Sequence, residues 1–182
     1  MCLYDNHLSL PIFHHLPYRQ HIALRHGFDE IDTLRPDKNP AFDFCRAQSF
    51  MAYRDNKPVG RITAIINDVV NQRTGEKTMR FGWVDFIDDK EVADALFKAA
   101  EDWGRNQGMT SIVGPMGFSD MDHEGMLIDG FNELGTMATI YNHAYYPTHM
   151  ERMGYVKDAD WVEFRITIHD AVPAKYPRIA EI

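Results

Sequence analysis

Residues 78–115 read TMRFGWVDFIDDKEVADALFKAAEDWGRNQGMTSIVGP, and they contain the most clearly patterned elements of the chain. Its first part, 78–87, is rich in Phe, Trp and Val, which is typical of a strand. The middle part predicts an amphipathic helix, because one helical face gathers Val92, Ala93, Leu96, Phe97, Ala100 and Trp103. The last part, 111–115, is short and apolar like a buried strand. Strand, helix and strand in this order predict a right-handed crossover between parallel strands.

Upstream of this unit the sequence predicts a hairpin. Residues 48–54 form the first strand, 55–58 have the composition of a turn, and 59–67 alternate between two faces. A polar loop over 71–76 then leads into the strand at 78–87.

Downstream, five glycines between 114 and 135 predict an excursion dominated by loops. Residues 136–141 are a further strand candidate. A short helix is expected at 145–153, with Pro147 in its first turn and Gly154 at its end. Residues 161–168 alternate cleanly between apolar and mixed side chains, which predicts a final strand.

Composition limits the classes of protein. The chain has 182 residues, 45% of them hydrophobic and 25% charged, which is the mixture of a single globular domain. A net charge of −8 argues against binding to nucleic acid or to an anionic membrane. Two cysteines, with no uninterrupted apolar run long enough to span a bilayer and no secretion signal, indicate a reduced, cytoplasmic setting.

The order of elements resembles the GNAT acyltransferase superfamily. The resemblance rests on residues 93–108, which read like the helix after that family's cofactor-binding strand, and on 145–155, which resemble its last helix and Gly-aromatic ending. More narrowly, the motifs at 38–42, 59–62 and 75–77, Asn67 and the motif at 114–120 resemble the N-terminal half of a group of uncharacterised bacterial GNAT-like proteins.

This resemblance implies an α/β (α+β) fold: a mixed, mostly antiparallel sheet with a parallel strand–helix–strand core and flanking helices. The domain is expected over 36–170, after an irregular segment at 1–35 that contains a short helix at 18–25. Residues 171–182 are expected to form a tail or linker.

The resemblance also implies transfer of an acetyl or other acyl group from acyl-CoA to the amine of a small molecule by direct attack. The residues expected to bind acyl-CoA are Val84 and Phe86 through backbone N–H groups, the turn and helix start at Asp88, Asp89, Val92 and Ala93, and Asn142. The turn holds three acids and one base, which repel a pyrophosphate by about 1 kcal/mol for each like charge. Asp88 and Glu91 also have the spacing of an ordinary capping box.

Candidates for proton transfer follow from the same comparison. Met150 stands where the family often has a Tyr acid, and Tyr146 lies one turn earlier on the same helical face. Asp85 and Glu163 are candidate general bases on predicted strands. Plainer interpretations remain: Tyr145 and Tyr146 as core or interface aromatics, and Asp85 as a solvated or ion-paired acid.

An acceptor pocket is expected beside the 114–135 excursion, with His123, Glu124 and Tyr145 as contacts. No metal is expected. The histidines at 14, 15 and 21 lack zinc spacing, and the calcium-like loop that starts at Asp120 has Phe131 where a bidentate Glu is needed.

Two functions therefore stand side by side. One is an N-acyltransferase that uses acyl-CoA and a small-molecule amine. The other is a catalytically silent GNAT-like module that binds a ligand, pairs as a homodimer or pairs with a second GNAT-like half. Exposed aromatics among Tyr145, Tyr146 and Trp161 would favour the second.

Overall fold

The computed structural model describes residues 2–5 as backbone, and residues 31–135 and 140–166 with their side chains. Its elements, in chain order, are β1 (Cys2–Asp5), a 3-10 turn (Pro40–Asp43), β2 (Cys45–Arg54), β3 (Lys57–Asn67), α1 (Asp68–Thr74), β4 (Thr78–Phe86), α2 (Lys90–Asn106), β5 (Ser111–Val113) and α3 (Tyr145–Arg152).

The strands of the described residues form one sheet in the order β1-β2-β3-β4-β5. The pairings from β1 to β4 are antiparallel, and β5 joins β4 in parallel after the crossover through α2. This is the mixed, mostly antiparallel sheet with a parallel strand–helix–strand core that the sequence predicts. The predicted α/β (α+β) fold class is therefore confirmed by the topology.

The hairpin between β2 and β3 is closed by Asp55 and Asn56, whose φ angles are +50° and +60°. Asp and Asn accept this left-handed backbone more readily than most residues, and a two-residue turn of that hand matches the twist of the strands. The predicted hairpin is confirmed, with β3 starting two residues earlier.

Helix α2 covers one face of the sheet. Val92, Ala93, Leu96, Phe97 and Ala100 are all buried against side chains of β2, β3 and β4. The apolar stripe read from the sequence is therefore the stripe that packs, and its burial is the main favourable term of the fold.

The opposite sheet face carries a smaller apolar cluster, which consists of Leu34, Cys45, Ile65 and Phe118 with Trp83 packed against them. Burial raises the pKa of the Cys45 thiol to about 11. Cys45 is consequently a neutral packing residue at physiological pH.

Strand β4 contains a bulge. Thr63 pairs with Gly82 and Arg61 with Asp85, so three residues of β3 face four of β4, and Trp83 has a φ of +45°. The extra residue shifts the alternation by one step: Phe81 and Phe86, an odd number apart, both contact Phe97. Asp85 is thereby placed on the sheet face away from α2, beside Arg61.

The N-terminus of α2 differs from the prediction in its cap. Asp89, not Asp88, is the N-cap, and its Oδ1 accepts hydrogen bonds from the N–H groups of Glu91 and Val92. The helix ends before Gly108, which has a φ of +82°.

The polar loop predicted over 71–76 is wrong, because residues 68–74 form α1. Asn67 caps this helix through the N–H of Val70, and Gly75 ends it with a φ of +76°. Asn71 then binds the backbone of Thr78 and fixes the start of β4. A helix of seven residues has about two turns, which is too short for its apolar positions to show a helical period.

The last helix, α3, is confirmed with Gly154 after its end at a φ of +90°. The strand predicted over 161–168 is wrong for 161–166, which form no strand and leave Trp161, Val162, Phe164 and Ile166 at least 72% exposed. Of the strand candidate at 136–141, residues 140 and 141 are irregular and 136–139 lie outside the described residues, as does the helix predicted at 18–25. In the part of the chain that is described, no helix has the length and apolar character needed to cross a membrane.

We expect Gly82→Ala to destabilise the protein by about 2 kcal/mol, because the new Cβ would lie 2.4 Å from the Met116 carbonyl oxygen, a backbone atom. Gly104→Ala is the matched control. Its Cβ meets only the flexible Met79 side chain, and a helix interior favours Ala over Gly by about 1 kcal/mol. Urea unfolding of both variants tests the contact, and equal losses would contradict it.

Candidate functional site

A small cavity of about 40 Å³ opens at the bulge of β4, large enough for a few water molecules. Five of its lining residues were expected at a site: Val84, Asp85, His123, Asn142 and Tyr146. The other lining residues are Arg61, Trp83, Pro115, Gly125, Met126 and Ile140.

The floor of the cavity is a buried ion pair. Arg61 Nε and Nη2 lie 2.8 and 2.6 Å from Asp85 Oδ2, and the two side chains are only 5% and 11% exposed. Both oppositely charged groups lose most of their hydration, so neither can be removed alone without leaving a buried charge. Asp85 is therefore the ion-paired acid that the sequence left as one interpretation.

Tyr146 extends this pair. Its hydroxyl lies 3.4 Å from Asp85 Oδ1 and accepts a hydrogen bond of 3.1 Å from the Phe86 N–H, while its ring stacks on Phe86 at 4.3 Å. The side chain is 1% exposed and still borders the cavity. Arg61, Asp85, Tyr146 and the Phe86 amide thus form one continuous, buried polar chain at the border of the apolar core.

The two backbone groups expected to polarise a carbonyl have different surroundings. Both backbone polar groups of Phe86 are hydrogen-bonded. Its N–H donates to the Tyr146 hydroxyl, and its carbonyl accepts a 2.7 Å hydrogen bond from the Tyr145 hydroxyl. Val84 lies in the bulge, outside the paired register of β3 and β4, and lines the cavity.

Asn142 is 3% exposed and holds a loop in place. Its Oδ1 accepts from the Leu127 N–H at 2.6 Å, and its Nδ2 donates to the carbonyls of Leu127 and His143. The side chain therefore fixes the 125–128 segment over the cavity.

The expected acceptor contacts separate in the structure. His123 lines the cavity, whereas Glu124 is outside its lining. Tyr145 turns away toward the Phe86 carbonyl and stacks on His143, whose pKa is lowered because burial disfavours the charged ring. Glu163 lies in the exposed 161–166 segment, away from the cavity lining.

The acidic turn before α2 is balanced by bases from other elements. Arg54 of β2 binds Asp89 at 2.6 Å and Glu91 at 2.8 Å, and its hydrogen bond holds the pKa of Asp89 below its usual range. Asp88 binds His149 of α3 at 2.9 Å. Val92 and Ala93 belong to the first turn of α2 and are fully buried, so they contribute to the core.

Arg54, Arg61 and His149 were missed by sequence reasoning. A signal existed for Arg61, which is a charged residue inside the otherwise apolar alternation of 59–67. Nothing local indicated Arg54 or His149, whose partners lie 35 and 61 residues away. No group of three or more metal-ligating side chains occurs in the described ranges.

No family model matches the sequence. Protein YghO of Escherichia coli strain K12 is 38% identical over 123 residues, which are 68% of this chain and 32% of that protein. The bacterial ceramide synthase of Caulobacter vibrioides is 36% identical over 138 residues, 75% of this chain and 36% of that protein. The matched segment thus spans about a third of the length of these curated relatives.

Among solved structures, the chain is similar to an aminoglycoside acetyltransferase from an uncultured soil metagenomic sample, determined in complex with sisomicin. The TM-score is 0.45 and the identity 11%, over 83% of this chain and 80% of that one.

The buried ion pair yields a stability prediction. Arg61→Met and Asp85→Leu should each cost about 3–5 kcal/mol, because each leaves the partner charge buried and unpaired, and the double variant should cost less than either. Chemical unfolding of the four proteins measures the coupling. Additive losses would show that the two groups do not depend on each other.

Proposed function

We propose that this chain carries the catalytic cavity of an N-acyltransferase, which moves an acyl group from a thioester to an amine. The observation that supports this most directly is the polar chain of Arg61, Asp85 and Tyr146 at the bulge, because it joins a carboxylate and a hydroxyl beside one small cavity. Amide formation from a thioester needs one group that accepts a proton and one that donates a proton.

The reaction can be written with the chain's own groups. The amine nitrogen bonds to the thioester carbonyl carbon, and the carbon–sulfur bond breaks. Asp85 Oδ1 accepts the proton that the amine loses, and the Tyr146 hydroxyl gives a proton to the departing thiolate. The proton on Asp85 then returns to Tyr146 across the 3.4 Å that separates their oxygens, which restores both groups.

Two further features serve this chemistry. Arg61 keeps the Asp85 carboxylate in a fixed position through Oδ2, which leaves Oδ1 for proton transfer. Val84, which is turned out of the β-ladder, is the backbone position proposed to donate to the carbonyl oxygen as negative charge develops on it.

Acyl-CoA is the proposed acyl donor, and its phosphates meet an obstacle. The Asp89 carboxylate already holds the N–H groups of Glu91 and Val92, which are the amides a pyrophosphate would use at this helix start. Arg54 binds the same carboxylate and would be released for phosphate if Asp89 moved. Binding of CoA at this turn is therefore proposed to displace Asp89.

The acceptor is proposed to be a long-chain amino alcohol. The relative that carries the name ceramide synthase supports this, since a ceramide is the amide of a fatty acid with such an amine. The chain matches about a third of that protein, and the comparison of long and short acceptors below tests this part of the proposal.

The second candidate is a silent interaction module. Two observations favour it: the Asp89 cap at the expected phosphate site, and the exposed apolar side chains of the 161–166 segment. Tyr146 is buried and Tyr145 is half-buried, so among the three aromatics singled out for this role only Trp161 is exposed.

Calorimetric titration with acetyl-CoA separates the two functions. Asp89→Asn should bind acetyl-CoA about five-fold more tightly than the wild type, because Asn still caps a helix while about 1 kcal/mol of repulsion is removed. Asp102→Asn, the same change on the exposed side of α2, is the control and should leave the affinity unchanged. No binding by any of the three proteins would overturn the acyl-CoA proposal and leave the interaction module.

Tyr146→Phe should lower kcat about 100-fold or more, because it removes the proposed proton donor and leaves the ring. Tyr155→Phe is the matched control, since the Tyr155 hydroxyl binds Glu101 of α2, outside the cavity lining. The assay follows thiol release from palmitoyl-CoA, once with sphinganine and once with ethanolamine as the acceptor. It gives the rate of acyl transfer and shows whether a long acceptor is preferred to a short one. Equal activity of Tyr146→Phe and wild type would contradict the assigned role.

A further inference from the structure

A second, larger groove of about 620 Å³ lies beyond the cavity. Phe118 borders the groove and Trp83 lines the cavity, and the centroids of these two rings are 5.7 Å apart, so their contact lies between the two spaces. A volume of this size is ordinary for a small-molecule site. The groove is not used by the proposed acyl transfer.

Two sequence motifs, at 38–42 and 114–120, and Asn67 contribute residues to the lining of this groove. The proposed acyl transfer assigns none of them a role. The 38–42 motif contributes Lys38 and Asn39 to one wall, and Asn67 lies at the end of β3. The 114–120 motif contributes Phe118, Ser119 and Asp120 to the other wall. These residues are far apart in sequence and come together only through the fold.

The walls are held in place by their own hydrogen bonds. Asn39 Oδ1 accepts from the Ala41 N–H and Nδ2 donates to the Thr33 carbonyl, so this side chain fixes the 3-10 turn. Asp122 accepts from the Ser119 N–H at 3.0 Å and closes the opposite loop. The groove is therefore shaped before any ligand arrives.

Two bases, Lys38 and Arg80, and three acids, Asp32, Asp120 and Asp122, line the groove, and Asp32 pairs with Arg35 at 3.9 Å. Arg80 Nη1 donates to the carbonyls of Gly117 and Phe118 at 3.1 Å each. No buried side-chain nitrogen of the described residues lacks a partner, so the Arg80 nitrogens without a hydrogen bond are accessible to solvent, and Arg80 is one of the residues that line the groove. Within the described ranges, neither Arg80 nor Lys38 lies within 4.0 Å of a carboxylate oxygen of Asp120.

Several exposed charges elsewhere in the described ranges form close pairs. On α2 and β2 the exposed charges form close pairs, such as Arg105 with Glu101 at 2.6 Å and Arg46 with Asp68 at 2.7 Å. In the groove, a guanidinium and an ammonium stand apart from a carboxylate across space that a small molecule can enter. A ligand that carries a negative and a positive charge would pair with the two bases and with the carboxylate at the same time.

We propose that this groove binds a small zwitterion, whose carboxylate or phosphate lies against Arg80 and Lys38 and whose ammonium group lies against Asp120. The two anions share the same recognition by a guanidinium, and the probes below distinguish them. The proposal rests on the lining of the groove and is independent of acyl transfer.

The test is an NMR titration of the full chain with phosphoethanolamine and, separately, β-alanine. We expect one of them to bind at least about ten-fold more tightly than inorganic phosphate, acetate or ethylamine. Each of these three probes has a charge of one sign and can pair either with the bases or with Asp120, but not with both. The largest amide shifts should fall on Phe118, Ser119 and Asp120. Stronger binding of phosphoethanolamine would assign a phosphate ligand, and stronger binding of β-alanine a carboxylate ligand.

Variants locate the site. Arg80→Gln and Asp120→Asn should each weaken binding about ten-fold, whereas Arg105→Gln and Asp102→Asn, which remove the same charges from α2, should leave it unchanged. If Arg80→Gln does not fold, Lys38→Gln, which changes an exposed side chain, tests the part of the groove that binds the anionic group of the ligand. No zwitterion binding up to about 20 mM, equal affinity for a single-charge probe, or shifts confined to other residues would each overturn the proposal.

Discussion

One extra residue in β4 is the constraint on which the rest of this structure depends. Without the bulge at Trp83 and Val84, strict alternation would place Phe81 and Phe86 on opposite faces of the sheet. With it, both rings reach Phe97 of α2, and Asp85 meets Arg61 on the other face. The positive φ of Trp83 is a local conformational cost that the surrounding packing offsets. The bulge thus separates an apolar core from a polar site within a single strand.

Tertiary contacts also change the electrostatic character of the turn before α2. Read along the chain, Asp88, Asp89 and Glu91 form an acidic cluster that repels phosphate. In the fold, Arg54 comes from the neighbouring strand and His149 from α3, so each of these carboxylates has a basic partner. At the proposed phosphate site the Asp89 carboxylate both occupies the helix amides and carries negative charge, so both effects oppose the binding of phosphate. A charge count over a short window shows neither the basic partners nor the occupied amides.

The success of sequence reasoning follows the amount of local information in each segment. The hairpin, α2 and α3 carry period, turn residues or caps within a few positions, and all three are present. Helix α1 has caps at Asn67 and Gly75 and no buried residue of its own. Its sequence therefore contains no apolar period from which a helix could be predicted. The 161–166 segment shows the reverse error, because its alternation is real while its apolar side chains remain exposed. Alternation shows that a segment suits a sheet, and a strand forms only where an edge pairs with it.

Periodicity and composition, which act over neighbouring positions, were enough to predict the fold class, the face of α2 that packs, and a set of candidate site residues. Which of these residues meet depends on the tertiary fold: Asp85 with Arg61 and Tyr146, Asn142 with Leu127, and Tyr145 with the Phe86 carbonyl. It also brought Lys38, Arg80 and Asp120 around one groove. The physical reason is that hydrogen bonds and ion pairs act over a few ångströms in space. For pairs that are 15 to 61 residues apart in the chain, no local pattern shows which residue meets which.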